Sequence, residues 1–126
     1  MKGFFAYPAK PQQVVETIRL AAQDVKRFHA VADLISWEEL DVPGRFIATE
    51  VLRGIDQSEF LIADISVLNF NVTYEVGYAI GRGKRIVIVR NEAYGKNEDE
   101  RIRRLGIFDT LGYKNYQNSR ELAAHI

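Results

Sequence analysis

Hydrophobic and polar positions along the chain follow two rhythms. Residues 60–65 and 86–89 are short, nearly unbroken apolar runs rich in β-branched side chains. They are too short for a typical helix and lack the alternation of a half-exposed strand, as expected of strands covered on both faces. Between them Val72, Val76, Ala79 and Ile80 recur at helical spacing, and Gly81 and Gly83 can stop that helix. Strand, helix and strand within about 30 residues make a crossover unit of a parallel sheet.

The alternation extends in both directions. Residues 3–7 read as a first, central strand closed by Pro8 and Pro11. From Gln12, the positions Val14, Ile18, Ala21, Val25 and Phe28 mark a helix of roughly four turns. Residues 31–36 form a weaker strand at or near the sheet edge, because Asp33 interrupts the run. A helix over about 45–57 turns Ala48, Val51, Leu52 and Ile55 inward. Beyond Arg90 come a polar stretch at 91–100, a short helical piece at 101–105 and a last strand at 113–116. A final helix, capped by Asn118 or Ser119, contains Leu122, Ala123 and Ile126. The pattern predicts an α/β, flavodoxin-like three-layer sandwich around a five-stranded parallel sheet, with the order 2-1-3-4-5 taken by analogy with that fold.

Composition bounds the function more than the fold. The 126 residues, 47% hydrophobic and 27% charged, suit a single domain spanning 1–126. Seventeen basic and 17 acidic side chains cancel, and no basic tract leaves a nucleic-acid footprint. Without cysteine there is no disulfide, thiol nucleophile or thiolate metal site. No window is long enough to span a bilayer, and the apolar run at 4–7 is too short for a signal peptide. The expectation is a cytoplasmic chain; its short last helix suggests a domain of a longer protein.

Some familiar motifs fail on spacing. Gly77, Gly81 and Gly83 lie within and after a helix, not between a strand and a helix, so they form no dinucleotide fingerprint, and Lys84 lacks phosphate-loop spacing. The first strand carries none of the acids of a response regulator. His29 and His125 have no acidic partner at ligand spacing, so neither a metal nor a cofactor is expected. Ser66 has no histidine near it in sequence.

What is left is a carboxylate in aromatic company. Open α/β sheets hold ligands beyond the carboxyl ends of their strands, here the first, third and fourth. Glu75 sits near the start of its helix, bracketed by Tyr74, Val76 and Tyr78. It is either an ordinary early-turn acid facing the helix dipole or a covered charge that needs a partner or a task. A carboxylate there can hold sugar hydroxyls, stabilise an oxocarbenium-like centre or attack an anomeric carbon. Asp64 either caps its loop or holds the sugar or Glu75. Phe5, Tyr7 and Trp37 offer flat surfaces for a base, and Trp37 could equally plug the core.

The strings Asp64-Ile65-Ser66, Asn69-Phe70-Asn71-Val72, Tyr74-Glu75-Val76-Gly77-Tyr78-Ala79 and Gly83-Lys84 resemble the nucleoside 2-deoxyribosyltransferase-like superfamily. They are equally similar to the bacterial Toll/interleukin-1 receptor (TIR)-like domains that share its core, and the likeness covers roughly residues 2–91. The resemblance implies that Glu75 is the catalytic carboxylate and that Asp64 acts beside it near the sugar. Phe5, Tyr7, Trp37, Ser66, Asn71, Tyr74 and Arg90 are then the substrate-binding positions, with Tyr7 and Arg90 assigned to the base and diphosphate. The segment from Trp37 to Ile47 looks more like a TIR loop. It points to NAD as leading substrate and nicotinamide as leaving group, in a homo-oligomeric defence or signalling effector with an additional domain. The alternatives are a nucleoside 2-deoxyribosyltransferase or nucleosidase, and a non-catalytic nucleotide-sensing or self-association domain. Deoxynucleotide hydrolases carry serines and glycines around the phosphate, whereas here the loop is Tyr7-Pro8-Ala9-Lys10-Pro11, which weakens the case for a monophosphate.

Overall fold

The computed structural model describes residues 1–28, 33–40, 47–94 and 112–126. Five parallel strands lie in the order β2-β1-β3-β4-β5, the order expected: β1 Lys2–Ala6, β2 Asp33–Ser36, β3 Phe60–Asp64, β4 Arg85–Asn91 and β5 Tyr113–Tyr116. The helices are α1 Gln12–Phe28, α2 Ile47–Asp56, α3 Phe70–Gly81 and α4 Ser119–His125, with single 3₁₀ turns at Trp37–Glu39 and Glu92–Tyr94. The helical piece expected at 101–105, His29 and the side chains of Phe28 and Ala48 lie outside the described residues.

The two-residue period of a strand sorts the core into two layers. Phe5, Phe60, Ile62, Val89 and Tyr116 face α1 and α4, meeting Val14, Ile18, Val25 and Leu122. Phe4, Ala6, Leu61, Ala63 and Ile88 face the other way, against Val51 and Ile55 of α2 and Val72, Val76 and Ala79 of α3. Every residue of β3 is buried, as its unbroken apolar run requires, whereas β5 buries only Tyr116. Gly3 is paired with Phe60, and a Cβ there would overlap the Phe60 ring.

Local signals fix the helix ends around the strand tips. Asn69 caps α3 by accepting from the Val72 N–H at 3.1 Å. At the other end Gly83 takes a left-handed conformation, φ 71°, while its N–H donates to Ile80 and that of Lys84 to Ala79. This is a Schellman stop, so Gly83 ends the helix and Gly81 is its last residue. Ile80, expected inward, is 48% exposed. It lies to the side of the Val72–Val76–Ala79 stripe and one residue from the helix end, where the sheet no longer covers it. Asn118, not Ser119, caps α4, accepting from the Glu121 N–H at 2.9 Å.

Candidate active site

Glu75 is the one charged side chain in α3, and the helix turns it inward. Asn69 starts the helix at the tip of β3, which places residue 75 in the second turn, beside the buried Val72 and Val76. Glu75 is 9% exposed, and among the described residues its carboxylate has neither a hydrogen bond nor an ion pair. Burial therefore acts unopposed and pushes its carboxyl from 4.5 up to about 7. Near neutral pH it holds and releases its proton with comparable ease.

The carboxyl borders a cleft of about 270 Å³, at the small end of ligand pockets. Tyr7 and Ala9, just past β1, form one side and Trp37, just past β2, another. Val51 and Leu52 of α2 supply an apolar wall, and Asn69, Asn71, Val72 and Tyr74 bring the start of α3 to the opening. The Trp37 Nε1–H donates to the Tyr7 carbonyl at 3.1 Å, and the two rings lie 5.6 Å apart at 52°. Trp37 packs against the core and also lines the cleft.

Of the positions singled out from sequence, Glu75, Tyr7, Trp37, Asn71 and Tyr74 meet at this cleft. Phe5 does not reach it: it shares a face with Tyr7 but lies within the paired part of β1, where its ring is packed in the α1 layer. Asp64 and Ser66 lie away from it as well. The Asp64 side chain is wholly buried; it accepts from the Ser66 N–H at 2.8 Å and from the Tyr116 hydroxyl at 2.5 Å. Ser66 Oγ accepts from the Asn91 N–H at 2.8 Å, so the group ties the ends of β3, β4 and β5 together. Burial raises the Asp64 carboxyl, partly offset by its Ser66 and Tyr116 hydrogen bonds. The void that Asp64 borders, about 10 Å³, is no larger than a water molecule needs. The Arg90 guanidinium lies over the Tyr113 ring at 4.5 Å, toward the β5 edge. Hence the cleft opens at the ends of β1 and β2 between α2 and α3, and β4 contributes no described residue to it. Ala9, Val51, Leu52, Asn69 and Val72 were not singled out for it. Helical spacing marks Val51, Leu52 and Val72 as inward-facing but does not separate a core contact from a cleft wall.

No family model matches the chain, and no curated protein matches it. Solved structures do. A conserved protein from Enterococcus faecalis V583 superimposes with a TM-score of 0.69 at 15% identity, covering 99% of this chain and 96% of its own. The CMP N-glycosidase BcmB from Clostridium botulinum does so with a TM-score of 0.58 at 20% identity, covering 98% and 95%. At such identities the likeness is one of fold, and it runs the length of the chain.

Proposed function

We propose that this protein cleaves the N-glycosidic bond of a nucleoside or nucleotide, with Glu75 acting at the anomeric carbon. The observation that carries this reading is the unpartnered, buried Glu75 carboxylate at the wall of an aromatic cleft. The likeness in fold to a CMP N-glycosidase supports it, as does the resemblance of the Glu75 motif to the nucleoside 2-deoxyribosyltransferase-like superfamily.

In this mechanism the base lies against Tyr7 and Trp37 and the sugar faces Glu75. As the C1′–N bond breaks, its electron pair leaves with the base, which takes up a proton from water, and positive charge builds on the sugar. Ionised Glu75 stabilises that charge, or bonds to C1′ through one oxygen until a water oxygen displaces it and the carboxylate is restored. A low-dielectric cleft strengthens the effect.

The described lining bears on substrate class. None of its residues is cationic, and Arg90, expected at a diphosphate, lies toward the β5 edge. The NAD reading therefore gains no support from the cleft, and a nucleoside-sized substrate fits its volume better than a dinucleotide. Asp64 we assign to holding strand ends, on the support of its two hydrogen bonds.

Chromatography after incubation with ribo- and deoxynucleosides, their monophosphates and NAD tests the reading. Free base should appear from a nucleoside or nucleotide, and Glu75→Gln should lower turnover about 100-fold or more, the scale of losing a transition-state electrostatic contact. Wild-type turnover in Glu75→Gln would refute the assignment, and consumption of NAD alone would overturn the substrate class.

A further inference from the structure

Tyr7 has a second neighbour that the cleft does not explain. On its other side a cavity of about 280 Å³ opens between α1 and β2, bounded by Ile18, Arg19, Leu34 and Glu38 among others, and Tyr7 lines both spaces. The ring is 5% exposed and is gripped at two points by one turn of chain. Trp37 holds its carbonyl at 3.1 Å, and the next residue, Glu38, accepts from its hydroxyl through Oε1 at 3.0 Å. The other oxygen of Glu38 takes two donors from Arg19 of α1, Nη2 at 2.6 Å and Nε at 3.0 Å. Both carboxylate oxygens are thus occupied, and the hydroxyl of Tyr7 is directed at Glu38.

We propose that Glu38, anchored by Arg19, is a positioning residue that holds Tyr7 as a partition between the two cavities and thereby sets the width of the cleft. The geometry gives each group one task. Tyr7 offers the cleft a ring face and no proton, because its hydroxyl donates to Glu38 and is also hydrogen-bonded to the Ser36 side chain. Trp37, hydrogen-bonded to the carbonyl of the same residue, is seated by the same grip. Freed from Glu38, the ring could swing, and two spaces of similar volume would join into one too wide to clasp a single base. Only the identity of the clasped group rests on the function proposed above; the partition itself does not.

Trp37 is the sole tryptophan, so its emission reports this wall directly. Emission of the ligand-free protein and steady-state kinetics on the best nucleoside or nucleotide are compared for wild type, Glu38→Ala, Tyr7→Phe and the double variant. Each single variant should shift the emission to longer wavelength and raise KM about 10-fold, the scale of a lost hydrogen bond to a charged group. The kcat should stay within about threefold, since the wall binds substrate without favouring the transition state. The double variant should fall well short of the sum of the two, because both break the Tyr7–Glu38 bond, while the Arg19–Glu38 pair and the Ser36–Tyr7 contact are each lost in one variant alone. Tyr7→Phe breaks the same bond from the other end should Glu38→Ala fold poorly. Unchanged emission in a folded variant, or a fall in kcat at constant KM, would overturn the proposal. If no nucleoside or nucleotide is turned over yet the emission shifts in both single variants, the partition stands and the function reading falls.

Discussion

Glu75 should make the folded protein less stable, and the size of that effect follows from its burial. A carboxyl that titrates at about 7 in the fold and 4.5 when solvated makes ionised Glu75 about 3 kcal/mol less favourable in the folded chain. Below pH 4.5 the group is protonated in both states and the penalty is absent. Between 4.5 and about 7 the folded chain binds a proton that the unfolded chain has released, so stability falls as pH rises. Above about 7 the group is ionised in both states and the full penalty is present. Glu75→Gln keeps the shape and removes the titration. The stability of the variant relative to wild type should therefore increase by about 2.5 kcal/mol between pH 5 and 8.5. That is a sizeable part of the 5–15 kcal/mol typical of a domain. Urea unfolding followed by Trp37 emission measures it, as a relative midpoint shift of about 1 to 1.5 M. Carboxylates elsewhere titrate alike in both proteins and cancel from the difference. Curves that run parallel from pH 5 to 8.5 would show that Glu75 is solvated or paired, and the site argument would fail with them.

The same titration bears on the proposed reaction. If Glu75 acts ionised, turnover should rise with pH through about 7 and level off above it, as a pH–rate profile will show; a fall through that range would make Glu75 a proton donor instead. Tyr116→Phe removes the hydroxyl that Asp64 accepts from inside the core. It should lower stability by about 1–3 kcal/mol in urea unfolding while leaving KM within about twofold. A large rise in KM at unchanged stability would return Asp64 to the sugar site.

The succession of strands and helices was legible in the sequence because it depends on periodicity, which is a property of the chain alone, whereas the strand order came by analogy with a known fold. Unbroken apolar runs gave β3 and β4, and helical spacing gave α1, α2 and the buried stripe of α3. Gly83 and Asn118, offered beside Gly81 and Ser119, marked helix ends because capping acts over a few residues, whereas the Asn69 cap emerged only from the structure. Glu75 stood out as a charge bracketed by Tyr74, Val76 and Tyr78 on a helix expected to be covered, and the fold does bury it.

Which residues gather around Glu75 was decided in three dimensions. Phe5 and Tyr7 share a strand face, yet Phe5 is locked in the core while Tyr7, beyond the last paired residue of β1, reaches the rim. Asp64 ends a strand where ligand sites are common, but β5 arrives 52 residues later with Tyr116 and claims its carboxylate. Val51 and Leu52 became a cleft wall only because α2 and α3 pack on the same face of the sheet. The Arg19–Glu38–Tyr7 chain joins α1, the turn after β2 and the loop after β1. Spacing along a chain sets which face a side chain takes; which distant groups meet it depends on how faces pack, and that is a property of the fold.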